Sequence, residues 1–409
     1  MDCKNGFLDI AMRLPRRAAV PIGAAIMVCC LAATAQAQTK DPIKVGIFLD
    51  MTGGAATIAE ASKFGVDLAV AEINRTGGIA GRQITTILAD TQTDPTIGVG
   101  EMKRLVEQEK VDAVVGPVIS QVLLATLPIL NQSKTLSLSA VGAEQVTPEA
   151  APYGFSILIN AQAQAQAMVR QAGRVGAKNA AILSDTGAQA KSFVEALKRE
   201  AASKNVNIVA AQEFQYRAVD MTPQLVALRR ANPDHLFVFS STGEDAGNTL
   251  KSASELGWDI PMTGNYSFGG FAQGAVKIAG VDAFKKTTGI NYQAFTFCGE
   301  GENPKAFADF VGKARAANAT TAGRVSLPVA SFFYDNVYLL KAAVEGSSGK
   351  TDGPTLAKWL EQNSKNFKGI SSNLSASEKS HFFIGLDNLA IVKPEKLRDG
   401  VFQQRVDCQ

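Results

Sequence analysis

From Ile43 onward, short runs rich in β-branched residues alternate with longer amphipathic stretches, and this alternation most constrains the fold. Ile43 to Asp50 reads as a buried strand and Glu60 to Arg75 as a helix with Phe64, Leu68, Ala71 and Ile73 on one face, stopped by Thr76-Gly77-Gly78. Gln83 to Ala89 is the next strand. Asp94 is the N-cap of a second helix with Pro95 at its first position. Val111 to Val115 is a strand, Ser120 to Gln132 a helix and Thr135 to Leu138 a strand. A βαβα order of this kind implies a parallel sheet covered by helices on both faces.

The series then starts again. Strands are expected at Asn179 to Leu183, Val206 to Ala211, His235 to Phe239 and Ile260 to Thr263. Helices are expected at Ala188 to Ser203, Thr222 to Arg230 and Glu244 to Leu256. The join lies near Phe155 to Gln162, where an Ala/Gln run favours a helix over a linker. Beyond about Lys286 the pattern becomes mainly helical, with Pro304 to Ala317, Ser331 to Glu345 and Gly353 to Gln362 as candidates. Phe382 to Leu386 and Leu389 to Val392 read as late strands. The helical part cannot build a third sheet, so it is expected to cover the first unit, while the late strands return to the second. The chain then crosses between lobes several times, which makes a hinge rather than a tether. The expected division is lobe 1 at about 38–158 plus 288–370, and lobe 2 at about 159–287 plus 371–409.

The chain has 409 residues. Residues 1–37 have the anatomy of a secretory signal peptide: basic Lys4, Arg13, Arg16 and Arg17, an apolar stretch from Ala18 to Ala33, and an A-x-A cleavage signal at Ala35-Gln36-Ala37. The 41 basic and 38 acidic residues nearly cancel, which argues against nucleic acid and anionic membrane as partners. Past the leader only Cys298 and Cys408 remain, an even number suited to one disulfide in an oxidising compartment; two separate buried thiols are the alternative. His235 and His381 are the only histidines, with no HExxH and no CxxC, so no metal site is expected.

Ligands of open parallel sheets sit beyond the carboxyl ends of the strands. In the first unit these loops are Leu49 to Gly54, which contains Thr52, Gly116 to Gln121, and Ser139 to Gly142. In the second unit they are Ser184 to Gly187, which contains Asp185, Ser240 to Asp245, and Gly264 to Phe271. A helix start offers free N–H groups and a positive dipole end, suited to a carboxylate, and Ser120 adds a hydroxyl donor there; the simpler role for Ser120 is a helix cap. Enzyme signatures are missing. Asn265-Tyr266-Ser267-Phe268-Gly269 lacks the first glycine of a nucleophile elbow, and Gly98-Val99-Gly100 lies inside an expected helix rather than after a strand. No Walker lysine is present. No catalytic activity and no cofactor are therefore expected.

Ile43 to Asp50, the GGIAGR run (Gly77 to Arg82), Asp90 to Pro95, the GPVIS loop (Gly116 to Ser120) and Tyr334-Asp335-Asn336-Val337-Tyr338 occur in a familiar order and spacing. Together they resemble the branched-chain amino acid/amide family of periplasmic solute-binding proteins, whose type is the leucine-binding protein. The resemblance implies an α/β type I periplasmic binding fold of two Rossmann-like lobes joined by a multi-strand hinge. It also implies a monomer in the periplasm that traps a small solute between closing lobes and delivers it to the permease and ATPase subunits of an ABC transporter. A ligand-sensing receptor subunit is the alternative role.

Carried over residue by residue, the resemblance places a ligand carboxylate at Ser120, helped by Ala140 and Gly142, where the family's second hydroxyl is missing. Family aromatics would fall near Ile58 and Gln189, and both are absent. The acid that holds an amino acid's ammonium falls at Tyr266; Glu244 or Asp245 would have to replace it. A buried ammonium without an anionic partner costs several kcal/mol. The expected solute is therefore an apolar or aromatic acid, or an amide, against a wall of Tyr266, Phe268 and Phe271. A branched-chain amino acid is the runner-up.

Overall fold

The structure is a computed structural model and describes residues 41–408; the expected leader and its cleavage point near Ala37 lie outside the described residues. Strand β1 (Ile43–Leu49) is buried at every position but Lys44, as a strand covered by helices on both faces must be. It pairs in parallel with β2 (Ile84–Asp90) and β3 (Ala113–Val115). β4 (Leu136–Ser139) and β5 (Gly154–Ser156) continue the sheet, giving the order β2-β1-β3-β4-β5 with every pair parallel. The edge strand β2 exposes Thr85 and Thr86, the polar blunting expected at a sheet margin.

The second sheet contains β6 (Asn179–Asp185), β7 (Asn207–Phe214), β8 (His235–Phe239), β9 (Met262–Gly264), β10 (Thr287–Tyr292), β11 (Thr296–Phe297), β12 (Leu389–Arg398) and β13 (Phe402–Arg405), in the order β11-β13-β12-β10-β9-β8-β6-β7. β6 to β10 pair in parallel, whereas β12 lies antiparallel to β10 and β13, so this sheet is mixed. Each sheet with the helices packed on it is a lobe. Helices match their expected positions closely: Ala188–Ser203 spans the expected residues, and Pro95–Lys103 starts with Asp94 accepting from the N–H groups of Thr96 and Ile97. The late helix Leu327–Gly346 lies along Ala56–Arg75 of the first lobe. Asn336 Nδ2 donates to the Leu138 carbonyl of β4, and Lys313 and Tyr334 both reach Glu72.

Two expected lobe boundaries need correction. The return to the first lobe at about 288 is too early, because β10 pairs with β9 and the chain stays with the second sheet through β11. Both strands fall where the pattern was expected to turn mainly helical, so neither was anticipated. The segment expected to rejoin lobe 2 from 371 also starts too soon. Phe382 bridges to Ser156, and Ser156 exchanges backbone hydrogen bonds with His381 and Phe383 at 2.9 Å each. This stretch covers the open edge of β5, and the second sheet resumes only at β12. Instead of a strand from Phe382 to Leu386, that region makes this single bridge.

Both histidines are buried structural residues. His235 Nε2 lies 3.1 Å from Thr263 Oγ1, and burial pushes its pKa down to about 4. His381 Nδ1 lies 3.0 Å from the Ala151 and Gly154 carbonyls, and its Nε2 is 3.1 Å from Glu361. Cys298 and Cys408 stand with Cα atoms 5.8 Å apart in disulfide geometry.

Candidate functional site

The carboxyl ends of both sheets face one another across a cleft, and a cavity lies between them with about 690 Å³ of unfilled space, part of it continuous with solvent. From the first lobe come Val118 to Gln121 after β3, Ala140 after β4, and Ile58. Helix Leu327–Gly346 adds Val329, Phe332 and Phe333, and the crossing after β5 adds Leu158. The second lobe supplies Gly187 to Gln189 after β6, Tyr216 after β7, Ser240 and Ser241 after β8, and Asn265 to Ser267 after β9. Among the described residues, no Asp, Glu, Lys, Arg or His lines this cavity.

Ser120 is the first residue of helix Ser120–Ser133, whose N-cap is Ile119, so Ser120 is not the cap. Its side chain is buried and its Oγ has no hydrogen-bond partner among the described residues. The hydroxyl and the free N–H groups of the helix start are left for something else. Across the cleft, Tyr266 is also buried with an unpartnered hydroxyl, and burial holds its pKa well above the usual phenol value. Its ring meets Phe271 and Tyr292 edge-on, with centroids 5.1 Å apart in both cases. The Tyr216 hydroxyl is unpartnered too.

Several polar groups of the second-lobe wall, with Asp185 behind it, are committed to one another. Asp185 accepts from the N–H of Gly187 at 2.8 Å and of Ser241 at 2.6 Å, tying two strand-end loops together. Asn265 exchanges hydrogen bonds with the Ser240 backbone, donating from Nδ2 at 2.9 Å and accepting at Oδ1 at 3.2 Å. Ser267 Oγ donates to the Ser240 carbonyl at 2.6 Å, and Gln164 Oε1 accepts from the N–H of Tyr266 at 3.2 Å. These bonds hold the wall in place before any solute arrives.

The structure brings Ser120, Ala140 and Tyr266 together on the cavity wall and leaves the other candidates off it. Thr52 is exposed and donates from N and Oγ1 to Asp90. Asp185 is buried behind the wall as a loop clamp, its pKa raised by burial. Glu244 sits in the first turn of helix Gly243–Glu255 and lines a neighbouring cavity instead. Asp245 is buried below the loop beside Thr242, which keeps both possible ammonium partners out of this chamber. Phe268 is fully buried in the second-lobe core, so the aromatic wall is Tyr266 and Phe271, joined by Phe332 and Phe333. Gly142 is covered: a Cβ there would stand 2.0 Å from Gln189 Nε2, which reaches over from the other lobe. Gly54 is approached in the same way by Tyr216 and Arg217. The lobes therefore approach each other closely at both glycines.

Tyr216, Phe332 and Phe333 escaped the sequence reading. Tyr216 follows β7, so the strand-end rule, applied to that loop, would have found it. The two phenylalanines lie within a helix expected to be pure cover, and nothing in their spacing marks them as site residues.

Comparison with known proteins places the chain in its class. It belongs to the periplasmic binding protein family, whose family model matches residues 42–393. It is 24% identical over 324 residues to the Leu/Ile/Val-binding protein BraC3 of Rhizobium johnstonii, covering 78% of this chain and 83% of that one. Its fold is that of the periplasmic binding protein type 1 of Bordetella pertussis, with a TM-score of 0.78 at 22% identity, covering 90% of this chain and 100% of the other. A solute-binding protein of an ABC transporter from Rhodopseudomonas palustris, solved with 3,4-dihydroxybenzoic acid, superimposes with a TM-score of 0.75 at 22% identity, covering 90% and 97% of the two chains. The protein is thus a solute-binding protein with the type I periplasmic binding fold.

Proposed function

We propose that this chain captures a small carboxylate-bearing solute, an apolar or aromatic acid, between its two lobes in the periplasm and delivers it to an ABC-type permease. The observation that carries the reading is the cavity wall, which has three side chains with buried, unpartnered hydroxyls, Ser120 on one lobe and Tyr216 and Tyr266 on the other, and, among the described residues, no ionised side chain. A carboxylate can take the Ser120 hydroxyl and the helix N–H groups, whereas an ammonium would meet no anion. Rings from both lobes offer faces and edges to an aromatic body. The dihydroxybenzoate named for the Rhodopseudomonas protein supports the same solute class. An oxidising compartment suits a Cys298–Cys408 disulfide.

Solute contacts made by both lobes at once would shift the population toward the closed form. A branched-chain amino acid is the second reading, favoured by the name of the Rhizobium relative. Isothermal titration calorimetry against benzoate, 3,4-dihydroxybenzoate, leucine and valine separates the two. We expect heats with the aromatic acids; binding of leucine or valine alone would overturn the first reading.

A further inference from the structure

Beside the cavity described above lies a second one in the same cleft. Ile58, Phe271 and Val329 line both, so a single layer of apolar side chains separates them. Ile58 and Phe271 are only half-buried, while Val329 is buried. Pro328, Leu397 and Val401 add apolar surface to the outer chamber. Leu397, near the turn between β12 and β13, is 42% exposed, a large apolar side chain left in contact with solvent.

Several polar groups of the outer chamber are already committed. Asn291 Nδ2 donates to Gln403 Oε1 at 2.6 Å, and Gln403 Nε2 donates to the Gly269 carbonyl at 2.9 Å. Arg324 is held by Glu60. Glu244, Lys277 and the buried, unpartnered Ser326 Oγ also line this chamber, and between them lies apolar surface continuous with the site wall.

We infer that the two chambers form one bipartite site. The acid head binds at Ser120 in the inner chamber, and an apolar extension passes Ile58, Phe271 and Val329 into the outer one. The solute is then an aromatic acid carrying a chain or second ring, longer than a simple hydroxybenzoate. This inference rests on the aromatic-acid reading proposed above.

The test is calorimetry with benzoate, 4-propylbenzoate and 4-hexylbenzoate on the wild-type protein and on Leu397→Asp, with Val401→Ser as a second variant on the same wall. Affinity should rise by about fourfold for each methylene that becomes buried. Leu397→Asp should cancel that gain for the hexyl compound and leave benzoate unchanged, and Val401→Ser should reduce it. Equal affinity along the series, or a gain that survives both variants, would overturn the bipartite site while leaving the aromatic-acid reading intact. Binding of leucine with no response to any benzoate would overturn both.

Discussion

The two walls of the cleft use their polar groups in opposite ways. The first-lobe wall leaves hydrogen-bonding capacity unspent, in the Ser120 hydroxyl and the start of its helix. The second-lobe wall spends most of its own internally, through Asp185, Asn265, Ser267 and Gln164, and presents the rings of Tyr266 and Phe271. Under the proposed function, one wall would receive the solute's charge and the other would serve as a pre-organised platform. A binding site thus need not be polar wherever polar residues cluster: what counts is which groups remain unsatisfied after the loops have been tied together.

The comparison breaks most visibly at Tyr266. The sequence alone suggests that Tyr266→Ala weakens binding without unfolding the lobe. The ring, however, is buried against Tyr292 and Phe332, so the variant should lose about 3–5 kcal/mol of stability in urea denaturation without solute. Asp185→Ala should cost roughly 3 kcal/mol in the same measurement, because two backbone N–H groups lose a charged acceptor. An unchanged midpoint would mean that the platform is not held by this clamp.

Acid groups on both sides of the cleft give a pH signature. Burial raises Asp50 and Asp245 from the ordinary 3.8 to about 6. Each holds its proton more tightly in the folded than in the unfolded state, so this contribution is full below about pH 4 and is lost as pH rises toward 6. The loss is roughly 3 kcal/mol for each group. Asp50→Asn keeps an acceptor for Thr91 Oγ1 and should flatten its share of the slope, read from urea midpoints at pH 4.5, 5.5 and 6.5. A slope identical to wild type would remove Asp50 as its source.

Smaller effects sharpen the contrast. Ser120→Ala should weaken 3,4-dihydroxybenzoate by about 1–3 kcal/mol and leave stability unchanged, because the hydroxyl has no partner among the described residues. Tyr266→Phe should leave stability intact and cost about 1 kcal/mol of binding if the solute reaches that hydroxyl. Equal loss of stability in both variants would mean that neither wall holds polar capacity in reserve.

Much of the fold was legible because local patterns act locally. The Asp94-Pro95 start, the helix Ala188–Ser203 and the strand His235–Phe239 follow from capping chemistry and apolar periodicity. Ser120, Ala140 and Tyr266, chosen by strand-end placement and family spacing, lie on the cavity wall. Glu244, Thr52 and Phe268 misled, because a residue in the right loop can still point to a neighbouring cavity, bond a nearby carboxylate or fill the core. β10 was not anticipated as a strand, and the pairing partner of Phe382 was out of reach as well.

The alternation of strand and helix, a property of neighbouring residues along the chain, was settled by the sequence itself, and with it the doubled α/β architecture. Which hydroxyls stay unsatisfied, which acids serve as clamps, and that Gln189 and Tyr216 close over glycines of the other lobe were decided only by the tertiary structure. The physical reason is that hydrogen-bond satisfaction and close approach depend on partners far away in the chain, and no local pattern records them.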